Sequence, residues 1–193
     1  MRKIRPDEVK KVSKLLAQIF NGYAAYELFF PEEKKRLKGI EIFFRYEISA
    51  SRNYTYVSDD FLSVAAVKRP GDRDRNPVWL FLNPVFAFSF FGVAGAKSAK
   101  LAKEYVALSA DIASRHYNPA TDCYIKNIGV AAEARGQGRL RLMIDELCGD
   151  SPIYLETHSE ENVAIYEHMG FKVCEKVEFH GYHHYAMRRD TGD

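Results

Sequence analysis

Residues 129–138 read GVAAEARGQG, which places three of the chain's twelve glycines within ten positions and gathers Arg135, Arg139 and Arg141 around the last two. Glycine serves where the backbone must take a positive φ or approach a ligand closely. Gly136 and Gly138 stand between a strand-like run, 123–130, and a helix-like run. A helix start offers unpaired N–H groups and the positive end of its dipole to an anion. The loop alone fits two descriptions, a phosphate cradle and a plain turn flanked by solvated arginines. Spacing narrows the choice of phosphate. A P-loop needs Lys-Ser or Lys-Thr after its last glycine, and Gly138 is followed by Arg139-Leu140. A dinucleotide fold needs a third glycine, missing from Gly136-Gln137-Gly138-Arg139-Leu140-Arg141, and a strand running almost directly into the first, where residues 131–135 intervene. Only Glu156, twenty residues after Gly136, speaks for it.

Asn162 and Tyr166 lie four apart in a helix-like run, hence on one face, where a pair can serve one ligand. The other description of the same spacing is a packed tyrosine with a polar first-turn residue. The terminal run FHGYHHY holds His180, His183 and His184, but strand alternation sends His183 away from the other two and no carboxylate completes a metal set. No metal is expected, and the strand is read as aromatic, either substrate-facing or exposed. Cys123, Cys148 and Cys174 form no CxxC pair and suit a reducing compartment. No Ser–His–Asp spacing supports a nucleophile.

The elements that must position these residues follow from periodicity. Pro6-Asp7-Glu8 reads as a helix start, with Val9, Val12, Leu16 and Ile19 on one face. A second helix begins near Pro31-Glu32-Glu33 and runs to about Ala50 through Leu37, Ile40, Phe44 and Ile48. NYTYVS and FLSVAAV read as strands that continue, through the turn KRPGDRDRNP, into a third strand at 78–82 as an antiparallel meander. Residues 97–117 are helical, 123–130 a strand, 138–147 a helix with Gly149 past its end, IYLET a strand, ENVAIYEHM a helix, and two strands close the chain. At 193 residues this is one domain. The run at 77–96 carries no charge over the length of a membrane span, yet Pro77, Asn83, Pro84 and the alternation Phe86, Phe88, Phe90 argue for a buried strand followed by an aromatic segment in the core or along a cleft. The start MRKIRPDEVKK lacks the apolar run of a secretory signal, so a cytoplasmic protein without a membrane partner is expected. A net charge of +2 and a pI near 8.3 do not make a nucleic-acid platform.

The stretches NIGVAAEARGQGRLRLMIDEL and IYLETHSEENVAIYEHMGFKV, with the strand–loop–helix–strand–helix–strand order joining them, resemble the GCN5-related N-acetyltransferases. The resemblance covers residues 123–173 and implies an α/β fold with a mixed, mostly antiparallel sheet flanked by helices. Residues 83–120 then form a helical, aromatic insertion within a single domain. It implies acetyl-CoA as acetyl donor, wrapped at its pyrophosphate by Arg135, Gly136, Gln137, Gly138, Arg139 and Leu140. Leu140 stands where the family has a small residue. A bulge near Gly129 would splay the sheet and leave backbone at Ile128 and Val130 for the pantetheine arm, although a glycine there also simply relieves crowding. Asn162 would contact the cofactor and Tyr166 would protonate the departing thiolate. Glu156, at a strand end, is the candidate base, and equally a solvated group or a substrate contact, while His158 reads as a loop residue. The implied reaction is direct attack by the primary amine of a small molecule in a ternary complex, with room for a homodimer. The alternative is a non-catalytic domain of this fold that binds coenzyme A or a protein partner.

Overall fold

The computed structural model describes residues 1–74 and 84–191, and for 84–94 and 96 the backbone alone. β1 (Arg2–Lys3) leads through a short 3-10 turn into α1 (Val9–Ile19), and α2 (Ala24–Phe29) and α3 (Glu33–Ser51) follow. Then come β2 (Thr55–Val57), β3 (Ser63–Lys68), α4 (Pro84–His116), β4 (Cys123–Val130), α5 (Arg139–Cys148), β5 (Ile153–Thr157), α6 (Glu160–Glu167), β6 (Lys172–Phe179) and β7 (Tyr182–Arg189). Among the described residues seven strands form one sheet in the order β1-β2-β3-β4-β5-β7-β6, and of its neighbouring pairs β4 and β5 alone run parallel. This is the mixed, mostly antiparallel sheet the sequence implies.

Among the described residues two large cores, and a small one in which Ile112 of α4 meets Tyr154 and Ala186, hold the helices to the sheet. In one large core, Met143, Ile144 and Leu147 of α5 and Tyr166 of α6 pack with Ile125, Ile128, Leu155 and Phe171. In the other, Val12 and Leu16 of α1, Tyr26 and Phe29 of α2 and Ile40, Phe44 and Ile48 of α3 pack with Val57, Val64 and Leu101. Val12 and Leu16 of α1 and Ile40, Phe44 and Ile48 of α3 are buried as the 3.6-residue period marks out, whereas Leu37, expected on the same face of α3, is exposed near the start of the helix, ahead of the packed positions.

Three features depart from the expectations. β1 and α2, at two and six residues, are too short to leave a periodic signal. The segment from Pro84 is helical, not strand-like, and α4 extends across Gly95, whose φ of 76° and ψ of 171° break it into two helical pieces. The alternation of Phe86, Phe88 and Phe90 alone therefore does not mark a strand. The strand expected at 78–82 lies outside the described residues, and β3 pairs instead with β4. Among the described residues no helix is long and apolar enough to cross a membrane.

Candidate active site

The site begins at a defect in the sheet. β4 pairs with β5 only through Cys123, Tyr124 and Ile125. Beyond Ile125 it follows β3 alone, and the register shift from Ala66↔Asn127 to Val67↔Ile125 leaves Lys126 as an extra residue. The bulge therefore sits at Lys126, not at Gly129, which stays in register opposite Val64. Gly129 answers a different demand, because a Cβ there would lie 2.7 Å from Ile19 Cγ2, so its bareness lets α1 cross β4 closely.

Backbone direction along this free edge is fixed by alternation. The Ala131 N–H donates to the Leu62 carbonyl at 2.8 Å, so in the antiparallel pair Gly129 also faces β3, and Ile128 and Val130 turn their N–H and C=O groups to the open side. They border a cleft of about 500 Å³ whose other walls are Ser159, Glu161, Asn162, Ile165 and Tyr166, around α6. Its far end is the loop that precedes α5, lined by Arg135, Gly136, Gly138, Arg139 and Leu140.

That loop has the form of a cradle. Gly136 and Gly138 have φ of 73° and 70°, the left-handed region that favours glycine, and a Cβ built on either meets nothing within 4 Å. Gly138 caps α5 without a side chain, so the first N–H groups of the helix stay open to the cleft. The arginines are divided: Arg139 bonds Asp60 at 2.7 Å and Gln137 at 3.1 Å, Arg141 donates to the His168 carbonyl at 2.9 Å, and Arg135 reaches toward Val130 O at 3.4 Å. Backbone and dipole, more than side-chain charge, make this end attractive to a phosphate.

At the near end, Phe20, Tyr23, Ile128, Asn162 and Tyr166 are shared with a second cavity of about 100 Å³. Tyr26, Phe29, Phe43, Tyr105, Glu156 and His158 are among its other walls. Ser159 caps α6 by accepting from Asn162 N–H at 3.3 Å, which aims the Asn162–Tyr166 face at the junction. Tyr166 is buried beside Phe171, and burial raises its phenol, so the hydroxyl stays protonated and able to donate. Tyr23 closes the cavity by bonding Thr157 Oγ1 at 2.7 Å and accepting the His158 N–H at 2.7 Å.

Glu156 reaches this cavity, but its carboxylate is already engaged. Oε1 accepts from Tyr124 at 3.0 Å and Tyr154 at 2.8 Å, Oε2 accepts from Ser109 at 2.6 Å, and His184 Nε2 lies 3.0 Å from Oε2. Burial works to raise its pKa, but His184, Ser109 and Tyr154 outweigh it and hold the carboxyl below its ordinary range. His184 is fully buried, and its Nδ1 is 3.0 Å from His158 Nε2. His158 is depressed to about 3, first by burial and then by His184. The loop residue of the sequence reading thus lines the cavity, and His184, read as part of an aromatic strand, sits behind it. Tyr23, Ser109, Tyr124, Tyr154 and Thr157 drew no notice in the sequence. Tyr154 and Glu156 share strand parity, a usable signal, whereas Ser109 reaches Glu156 only through the fold. His183 points elsewhere, 3.6 Å from Glu160, and His180 meets Glu104 at 3.1 Å. Among the described residues no cluster of three or more His, Cys, Asp or Glu could hold a metal.

No family model matches the sequence, and no curated protein matches it. Solved structures do. A histone acetyltransferase HPA2-related acetyltransferase of Corynebacterium glutamicum is 18% identical with a TM-score of 0.62, over 100% of this chain and 96% of that one. The C-terminal condensation domain of Ebony, solved with beta-alanyl-dopamine, is 9% identical at 0.58, over 97% and 96%. Naa20 of Chaetomium thermophilum, solved with a bisubstrate analogue, is 16% identical at 0.52, over 98% and 85%. With β4 splayed from β5 and a bare loop feeding α5 at the end of the cleft, the chain has the fold of the GCN5-related N-acetyltransferases.

Proposed function

We propose that this chain is an acetyl-CoA-dependent N-acetyltransferase whose acceptor is the primary amine of a small molecule. The observation that carries the reading is the junction at Tyr166, where a long cleft with a phosphate cradle at one end meets a small aromatic cavity at the other. Two reactants held in one line need no covalent enzyme intermediate, only orientation, a proton acceptor and a proton donor.

Acetyl-CoA, when bound, supplies the thioester carbon that the amine attacks. The N–H groups at Gly138, Arg139 and Leu140, with Arg135 and Gln137 beside them, hold the pyrophosphate. Ile128 and Val130 offer strand-like hydrogen bonds to the pantetheine arm, and the Val130 N–H stabilises charge on the thioester oxygen. Asn162 fixes the arm from α6, and Tyr166 donates a proton to the leaving sulfur. The aromatic walls of the second cavity, Phe20, Tyr26, Phe29 and Tyr105, favour an acceptor with an apolar or aromatic body. That agrees with the small aromatic amide held by the Ebony domain. Glu156, its oxygens occupied by hydroxyls, acts on the acceptor through a neighbour.

Thermal shift with acetyl-CoA, NAD and ATP, followed by thiol release with a panel of amines, tests this. Stabilisation by acetyl-CoA above the other two and amine-dependent thiol release are expected. Equal shifts refute the cofactor, and a specific shift without thiol release from any amine favours the non-catalytic alternative.

A further inference from the structure

Three groups lie in series at the acceptor cavity: His158 and Glu156, from the end of β5, line it, and His184 of β7 is buried behind them. Resting on the acetyltransferase reading, we propose that His158 takes the proton from the acceptor's ammonium and passes its own to His184, whose resulting charge Glu156 holds. The hydrogen positions follow from the geometry. His184 Nε2 lies 3.0 Å from a carboxylate oxygen, off the line of a good hydrogen bond, in a fully buried ring. A lone pair facing a carboxylate there would be repulsive, so Nε2 carries hydrogen in both charge states. Neutral His184 then has its lone pair on Nδ1, and His158 Nε2, 3.0 Å away, must be the donor. The proton of neutral His158 is thereby fixed on Nε2, and its Nδ1 is left as the base for the cavity.

The proton count closes. The ammonium loses one proton to His158 Nδ1, the Nε2 proton of His158 moves to His184 Nδ1, and the amine's lone pair is freed for attack. His158 ends neutral with hydrogen on Nδ1, and His184 ends as an imidazolium beside Glu156. The second proton of the attacking nitrogen replaces the one that Tyr166 gives to the sulfur, and product release with loss of one proton from the His158–His184 pair to solvent restores the start. The 3.0 Å contact serves both states, with donor and acceptor exchanged.

The surroundings place the charge at His184. Against His158 pack Tyr23, at 5.8 Å between ring centres, Tyr105 of α4 at 5.2 Å and His184 at 4.8 Å. None of these is an anion. Against His184 stand Tyr105, His158 and Glu156, and the carboxylate is held in place by Ser109, Tyr124 and Tyr154. Lys126 also lines the cavity and lies 3.7 Å from Asp74. His158 is therefore the catalytic group, and His184 and Glu156 are positioning residues.

Two measurements test the relay. Nitrogen-15 NMR of the histidine rings in the ligand-free protein should show neutral His158 with its proton on Nε2 beside a neutral His184, and on Nδ1 wherever His184 carries two ring protons. A neutral His158 with its proton on Nδ1 beside a neutral His184, or one whose tautomer does not follow the protons on His184, overturns the proposal, whether or not an acceptor is known. Thiol release is then compared for 2-phenylethylamine, charged at neutral pH, and O-benzylhydroxylamine, which is not. His158→Gln and His184→Gln should lower kcat for the first about 10²–10³-fold, less as pH rises, and leave the second within a few fold. Equal losses for both amines, or a loss in Glu156→Gln but not in His158→Gln, refute the relay. If the parent acetylates neither amine, nor any other, it is the acetyltransferase reading that fails, and the ring titration alone decides the relay.

Discussion

Replacing His158 by glutamine should change how the fold responds to mild acid. In the folded chain His158 stays uncharged down to about pH 3, because burial and the neighbouring His184 oppose a second proton there. In the unfolded chain it takes that proton near the ordinary histidine value of 6.5. Protons thus bind the unfolded chain in preference, and stability falls as pH drops through 6.5. From pH 7 to pH 5 this one group removes about 2 kcal/mol, an upper figure because part of the ring surface faces the cavity. For a chain of this size that corresponds to roughly 4–8 °C in Tm. Glu8 and Asp60 are depressed to about 2 and lose their stabilising contribution only as pH falls below their ordinary values of 4.5 and 3.8, outside this window. Thermal unfolding of parent and His158→Gln between pH 7 and pH 5 should therefore show a steeper decline in the parent, with the two curves converging in acid. Parallel declines would mean that His158 is hydrated or charged in the native state, and the hydrogen positions deduced for the relay would fail with it.

Gly138→Asp should fold with about 1 kcal/mol of strain at its positive φ and lose the acetyl-CoA thermal shift, since the side chain and its charge enter the cradle; an unchanged shift would remove the loop from the binding site. Tyr166→Phe keeps the ring against Phe171, so acetyl-CoA affinity should hold while kcat falls about 10²–10⁴-fold, and near-parent turnover would leave another donor for the sulfur. Gly129→Ala places a methyl 2.7 Å from Ile19 Cγ2 and should cost about 1–3 kcal/mol in urea unfolding. Adding Ile19→Ala should recover part of that loss, and strictly additive losses would mean that α1 does not bear on β4 as described.

The glycine loop, the helix it feeds and the Asn162–Tyr166 face were legible in the sequence, because each depends on residues within a few positions of one another. A positive φ, a missing Cβ and an i,i+4 pair are local facts, and the fold preserved them at Gly136, Gly138 and α6. The bulge was misplaced by three residues, since Lys126 carries no mark of irregularity and the extra residue appears only against β3. The aromatic run after Pro84 was read by its alternation, and its helical form follows from a longer context. The histidine pair was out of reach for another reason. Strand period tells which side chains share a face, as it did for His183 and His184, but not which strand lies alongside. Here β7 inserts between β5 and β6, with Glu156 opposite Ala186 and Thr157 opposite Tyr185. That strand order brings His184 to Glu156 and His158, and α4 then lays Tyr105 and Ser109 over them. Sequence determines each residue's chemistry and local conformation, while the proximity of groups 26 and 47 positions apart belongs to the packed sheet, because only burial against a common layer makes so many distant side chains share one small volume.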